Sequence, residues 1–119
     1  MTSDPSQISP PSGFIDTREQ PEILSLEKAQ RMAEFFGVLG DANRWRILSA
    51  LAQQSMRVSE LATVVGMSDS AVSHQLRLLR TMRLVSYVKQ GRNVVYGLKD
   101  HHIFNLYNEA SEHLDEPED

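Results

Sequence analysis

Residues 58–82 read VSELATVVGMSDSAVSHQLRLLRTM. Ser59 is placed to cap a short helix predicted over Glu60 to Val65. Gly66 and Met67 then form a tight turn, and Ser68 caps a longer helix predicted to run to about Met82. Two helices joined by a short glycine-containing turn are the helix-turn-helix signature.

Working outward, the segment before it is helical in period. Leu26, Ala29, Met32, Ala33, Phe36 and Leu39 recur at helical spacing from Leu24 onward, and Gly40 ends that run. Asp41 is an N-cap for a second helix whose apolar face is Trp45, Ile47, Leu48 and Leu51, with Arg44 and Arg46 projecting elsewhere. After residue 82 the period turns extended. LVSYVKQ and NVVYGL are rich in Val and Tyr and flank a Gln90-Gly91-Arg92-Asn93 turn, a β-hairpin pattern. A last helix is capped by Asp100 and ends near Pro117. The expected fold is mainly α with one β-hairpin: a winged helix-turn-helix with an extra N- and C-terminal helix for dimerisation. Residues 1–21 hold four of the five prolines among Ser, Asp and Gln and are expected to be a disordered arm, leaving 22–119 as the folded domain.

Composition sets limits. The 119 residues hold no cysteine, which excludes disulfides, thiolate metal sites and cysteine nucleophiles. No stretch of about 18 apolar residues exists to span a membrane, and the N-terminus lacks the basic and apolar regions of a signal peptide, so a cytoplasmic location is expected. The net charge of −4 conceals a division. Residues 57–99 hold seven cations against Glu60 and Asp69, whereas residues 100–119 hold seven carboxylates and no Lys or Arg. The basic middle suits phosphate and the acidic tail suits cations.

On a wheel at about 100° per residue, Val72, Leu76 and Leu79 face the core. Ser70, Ser73, His74 and Arg77 share the opposite face, with Gln75 toward the flank. Short hydroxyls let a helix sit deep in a major groove, where Arg and His reach base edges or phosphates. With Ser68 at the helix start and Lys89, Gln90 and Arg92 at the hairpin tip, these are the candidate DNA contacts.

In the tail, Asp100 and His102 lie at one end of the helix, and His113 and Glu116 share a face at the other. His102 and His113 return to nearly one azimuth but lie roughly 16 Å apart along the axis, so one chain cannot close all four around an ion. Two antiparallel copies can. The Asp100/Glu116 and His102/His113 pairs both centre near residue 108, as does the apolar stripe of Ile103, Tyr107, Ala110 and Leu114. A two-fold axis there buries the stripe and creates two equivalent inter-subunit sites per homodimer. Two imidazoles and two carboxylates suit tetrahedral Zn(II); soft ions would want thiolates. Ni(II) or Co(II), or no metal, remains the alternative, with His101 or the arm as a source of extra donors for an octahedral ion; His101 itself is expected to point away from His102. Four protein ligands leave no open position for an activated water, so hydrolysis and a small organic substrate are not expected.

LGDANRWRIL, VSELATVVGMSDSAVSHQLRLLR, LVSYVKQGRNVVYGL and DHHIFNLYNEASEHLDE together resemble the ArsR/SmtB family of metal-responsive winged-helix repressors, over about residues 25–116. The tail is similar to that family's C-terminal-helix zinc motif at Asp100, His102, His113 and Glu116, most like the cyanobacterial zinc-sensor branch. Arg57 stands where many of that branch carry a cysteine, and Glu60 alone is no site, so the resemblance implies the tail sites only. It further implies an apo homodimer bound to an inverted repeat in an operator, with zinc lowering DNA affinity and releasing metal-homeostasis genes. It also implies coupling through a His113 hydrogen bond to backbone near Arg83, with Leu79 nearby.

Overall fold

The structure is a computed structural model that describes residues 20–118. The expected arm therefore lies outside the described residues, apart from Gln20 and Pro21. Within the stretch up to Arg31, Ser25 starts helix α1 (Leu26–Val38): its hydroxyl accepts the Lys28 N–H at 3.1 Å and its carbonyl accepts that of Ala29 at 2.9 Å.

Met32–Asp119 forms a compact unit. The end of α1 is followed by α2 (Ala42–Gln53), β1 (Met56–Arg57), α3 (Val58–Val65), α4 (Asp69–Thr81), β2 (Val85–Gln90), β3 (Asn93–Leu98) and α5 (His101–Asp115). Three N-caps stand where the sequence places them. Asp41 accepts the Arg44 N–H at 3.1 Å, Ser68 that of Ala71 at 3.0 Å, and Asp100 that of Ile103 at 3.2 Å. Each satisfies a backbone donor that the first helical turn leaves unpaired.

Helix α3 differs from expectation. It begins at Val58 rather than Glu60, with Arg57 as N-cap, so Ser59 lies inside the helix and does not cap it. Glu60 reaches back instead and accepts the Arg57 N–H at 2.9 Å. With the helix starting two residues earlier, Ser59 falls at its second position, and the carboxylate three residues past the cap bonds back to the cap N–H as in a capping box. Gly66 closes α3 at φ 71°, where Met67 donates to the Ala62 carbonyl at 3.0 Å.

Helix α4 ends in a Schellman motif with an unusual residue. Leu84 N–H donates to Leu79 O at 2.8 Å and Arg83 N–H to Arg80 O at 2.9 Å. Arg83 occupies the left-handed position, φ 62°, that glycine normally takes. The apolar contact of that motif falls on Leu79 and Leu84, both fully buried.

The sheet has three antiparallel strands in the order β1-β3-β2. Gln90 pairs with Asn93, leaving Gly91 and Arg92 as a two-residue loop. Gly91 at φ 64° in the first loop position is the pattern of a type II′ turn. Strand β1 is absent from the sequence reading. Its two residues carry no period, and it exists because Met56 and Arg57 pair with Tyr96 and Val95 of β3.

The core joins α2, α3, α4 and the sheet. Ile47, Leu48, Leu61, Val72, Leu76, Leu79, Leu84 and Val85 are fully buried in it. Helix α5 seats Ile103 in the same cluster and sets Tyr107 against Trp45, with ring centroids 6.4 Å apart. Among the described residues no helix is long and apolar enough to cross a membrane.

Candidate nucleic-acid interface and metal-ligand pairs

Helix α4 buries Val72, Leu76 and Leu79, as its periodicity requires, and so turns Ser70, His74 and Arg77 outward, all exposed, with Ser73 half-buried. Ser68 has its hydroxyl committed to the cap but lies exposed beside them. Lys89, Gln90 and Arg92 are exposed at the hairpin tip. An outward helix face and a basic β-turn of one domain thus present hydroxyl, imidazole, amide and guanidinium groups, the chemistry that reads base edges and grips phosphates.

Gln75 is different. It is half-buried, and its Oε1 accepts from Arg44 Nε at 2.8 Å, tying α4 to α2. Arg44 Nη1 also donates to the Val38 carbonyl at 2.9 Å, and Arg46 Nη1 donates to Val65 O at 2.9 Å. The two arginines of α2 therefore brace both helices of the helix-turn-helix. Their partners lie 31, 6 and 19 residues away in the chain, and no local pattern signals such pairs. Arg80, also missed in the sequence, lies over the Tyr87 ring at 4.5 Å and joins the end of α4 to β2.

The four tail residues form two pairs at opposite ends of α5. His102 Nδ1 lies 3.6 Å from Asp100 Oδ2, and His113 Nδ1 lies 3.7 Å from Glu116 Oε1. Two donors bound to one tetrahedral zinc at ordinary bond lengths of about 2.1 Å are about 3.4 Å apart, so each pair nearly has the spacing of half a site. Among the described residues no group of three or more candidate ligands comes together within the chain. Asp100 uses Oδ1 for the cap and leaves Oδ2 facing the imidazole. Desolvation opposes its ionised form, but the Ile103 N–H and the neighbouring His102 outweigh that and hold its carboxyl below the usual range. An ionised carboxylate beside an imidazole is a donor pair of the kind zinc accepts.

His101 does not point away from His102. Their ring centroids are 4.2 Å apart at 40°, since both side chains are exposed at the helix start and free to turn toward each other. The apolar stripe is also divided. Ile103 is buried in its own chain's core and Tyr107 half-covered by Trp45, which leaves Ala110 half-exposed and Leu114 exposed, with Phe104 exposed beside them. Ile103 therefore contributes to the protomer's own core. His113 is exposed, and among the described residues it makes no hydrogen bond to Arg83 within the protomer. Near the start of α3, the Glu60 carboxylate is engaged by the Arg57 backbone N–H and, at 3.4 Å, by its guanidinium, which together lower its pKa. That guanidinium opposes any cation there.

Residues 41–87 match the family model described as bacterial regulatory protein, arsR family. The chain is 56% identical over 97 residues to a transcriptional repressor SmtB homolog of Synechocystis, spanning 82% of this chain and 74% of that protein. It is 39% identical over 104 residues to the HTH-type transcriptional regulator NmtR of Mycobacterium tuberculosis, spanning 84% and 87%. Its fold is similar to a homodimeric winged helix-turn-helix DNA-binding domain from Mycobacterium bovis, with a TM-score of 0.68 at 28% identity over 77% of this chain and 92% of that one. The helix-turn-helix, the wing and these likenesses together lead to one conclusion: the chain belongs to the ArsR family of bacterial transcriptional regulators.

Proposed function

We propose that the chain is a zinc-responsive repressor that binds an operator inverted repeat as a homodimer and releases it when zinc joins the subunits through α5. The carrying observation is the pair of His–carboxylate couples, 3.6 and 3.7 Å across, at the two ends of one helix. In an antiparallel α5 pair, Asp100 and His102 of one subunit meet the equivalents of His113 and Glu116 of the other, giving two sites per dimer. Leu114 and Phe104, left exposed by the protomer, are available to the same contact.

Zinc supplies a tetrahedral tie between subunits. The protein does the rest. Its two recognition helices must match half-sites about one DNA turn apart, and a tie that favours another subunit orientation lowers operator affinity. The second imidazole nitrogen of His113 is free to bond backbone near Arg83, beside Leu79, once subunits are joined. The relatives' roles as transcriptional repressor and regulator support the DNA-binding half of this reading. A cytoplasmic protein with no cysteine-based second site accords with it.

The test is a fluorescence-anisotropy titration of operator DNA with and without zinc, at one salt concentration. His113→Ala is expected to leave apo binding intact and abolish zinc release. Normal release by that variant would remove the tail from the switch. A second reading, Ni(II) or Co(II) as effector, is favoured by the His101 ring beside His102, which adds a donor for six-coordination. Intense tetrahedral bands of the Co(II) complex support zinc, and weak octahedral bands support the alternative.

A further inference from the structure

We infer that Arg44 is a positioning residue for DNA reading: by holding the Gln75 carbonyl oxygen and the Val38 carbonyl together, it sets the rotation of the recognition helix α4. The inference rests on the DNA-binding reading above. Arg44 is half-buried on α2. Its Nε–Oε1 contact with Gln75 is 2.8 Å and its Nη1–O contact with Val38 is 2.9 Å. A guanidinium is a planar fork of donors, so two acceptors on different nitrogens fix its plane and, through it, each other.

The chemistry settles the amide's orientation. Arg Nε is only a donor, so the atom facing it is the Gln75 oxygen. Held by Arg44 on the α2 side and half-buried, the Gln75 amide is not free to swing outward for the paired donor–acceptor contact with adenine that a free glutamine makes. Gln75 thus serves as the handle of α4 rather than as its reader. Its neighbours His74 and Arg77, and Ser70 and Ser73, share the rotation it imposes. Turning a helix by about 20° moves atoms about 6 Å off its axis by about 2 Å, which separates a hydrogen bond made from one lost. The other end of the tie is Val38, the last residue of α1, so α1 and the reading face of α4 share one side chain.

The experiment measures zinc-free full-length protein against an inverted-repeat duplex from its own promoter and against a scrambled duplex, by anisotropy at one salt concentration, beside thermal melts. Arg44→Lys keeps the charge but not the fork, and Gln75→Leu cuts the tie at its other end. Both are expected to lose tenfold or more affinity for the repeat and to stay within twofold on the scrambled duplex. Gln75→Glu keeps an acceptor for Arg44 and is expected to retain the discrimination. Arg44→Lys or Gln75→Leu that discriminates like wild type overturns the inference, as does an equal loss on both duplexes. A Gln75→Glu variant that binds neither duplex also overturns it, because Gln75 would then face phosphate. Wild-type protein that binds neither duplex overturns the DNA-binding reading itself, and wild-type protein that binds both alike overturns sequence reading by α4; either outcome takes this inference with it.

Discussion

Asp100 does two jobs with two oxygens, and substitution separates them. Oδ1 accepts the Ile103 N–H at 3.2 Å, and Oδ2 faces His102 at 3.6 Å. Losing an N-cap costs about 1 kcal/mol, whereas exchanging Asp for Asn costs little because both cap equally well. For a domain of this size, about 1 kcal/mol corresponds to a shift in Tm of about 3–6 °C. In chelator, Asp100→Ala is therefore expected to melt about 3–6 °C below wild type and Asp100→Asn within about 1 °C of it. With zinc the order changes. A neutral amide oxygen is a poor substitute for a carboxylate ligand, so both variants are expected to lose zinc-dependent release of the operator. The assays are circular dichroism melts in chelator and anisotropy titrations with zinc. Asp100→Asn that releases DNA at the wild-type zinc concentration refutes the ligand role. An Asp100→Ala melt indistinguishable from wild type refutes the cap.

Three further outcomes follow from the fold. Arg83 sits at φ 62°, so Arg83→Gly relieves a left-handed penalty of about 1–2 kcal/mol against the greater chain entropy of glycine; a net gain of about 0.5–1 kcal/mol is expected in denaturant titrations. Leu79→Ala removes a fully buried side chain and its Schellman contact and is expected to cost about 2–5 kcal/mol by the same titrations. The Glu60 carboxyl is held below its ordinary 4.5 by the Arg57 N–H and guanidinium, so its contribution is present above that value and is lost as pH falls through it and below. Glu60→Gln is accordingly expected to flatten the fall in stability between about pH 5 and pH 3, read by urea titrations across pH.

Local chemistry made much of this protein legible from residue order alone. Asp41, Ser68 and Asp100 cap helices because a short polar side chain reaches only the next turn, a relation contained within four residues. Gly66 and Gly91 mark turns because their backbones need positive φ. The Val72, Leu76 and Leu79 face, and with it the outward Ser70, His74 and Arg77, follows from helical period. The spacing of Asp100, His102, His113 and Glu116 likewise needs only the rise of a helix.

Tertiary structure decided what depends on distant partners. Strand β1 exists because β3 offers an edge to Met56 and Arg57. Ile103 belongs to the protomer's core because α5 lands on α2, which the stripe on α5 alone could not specify. Arg44 and Arg46 look like solvent-facing charges on a helical wheel, yet they bond Gln75, Val38 and Val65 across the helix-turn-helix. Arg83 takes the glycine position because burying Leu84 against Leu79 compensates a strained backbone, a trade that appears only when both ends of the turn are packed. Periods and caps are short-range and therefore written in the sequence. Which face meets which is set by the shape of the assembled core.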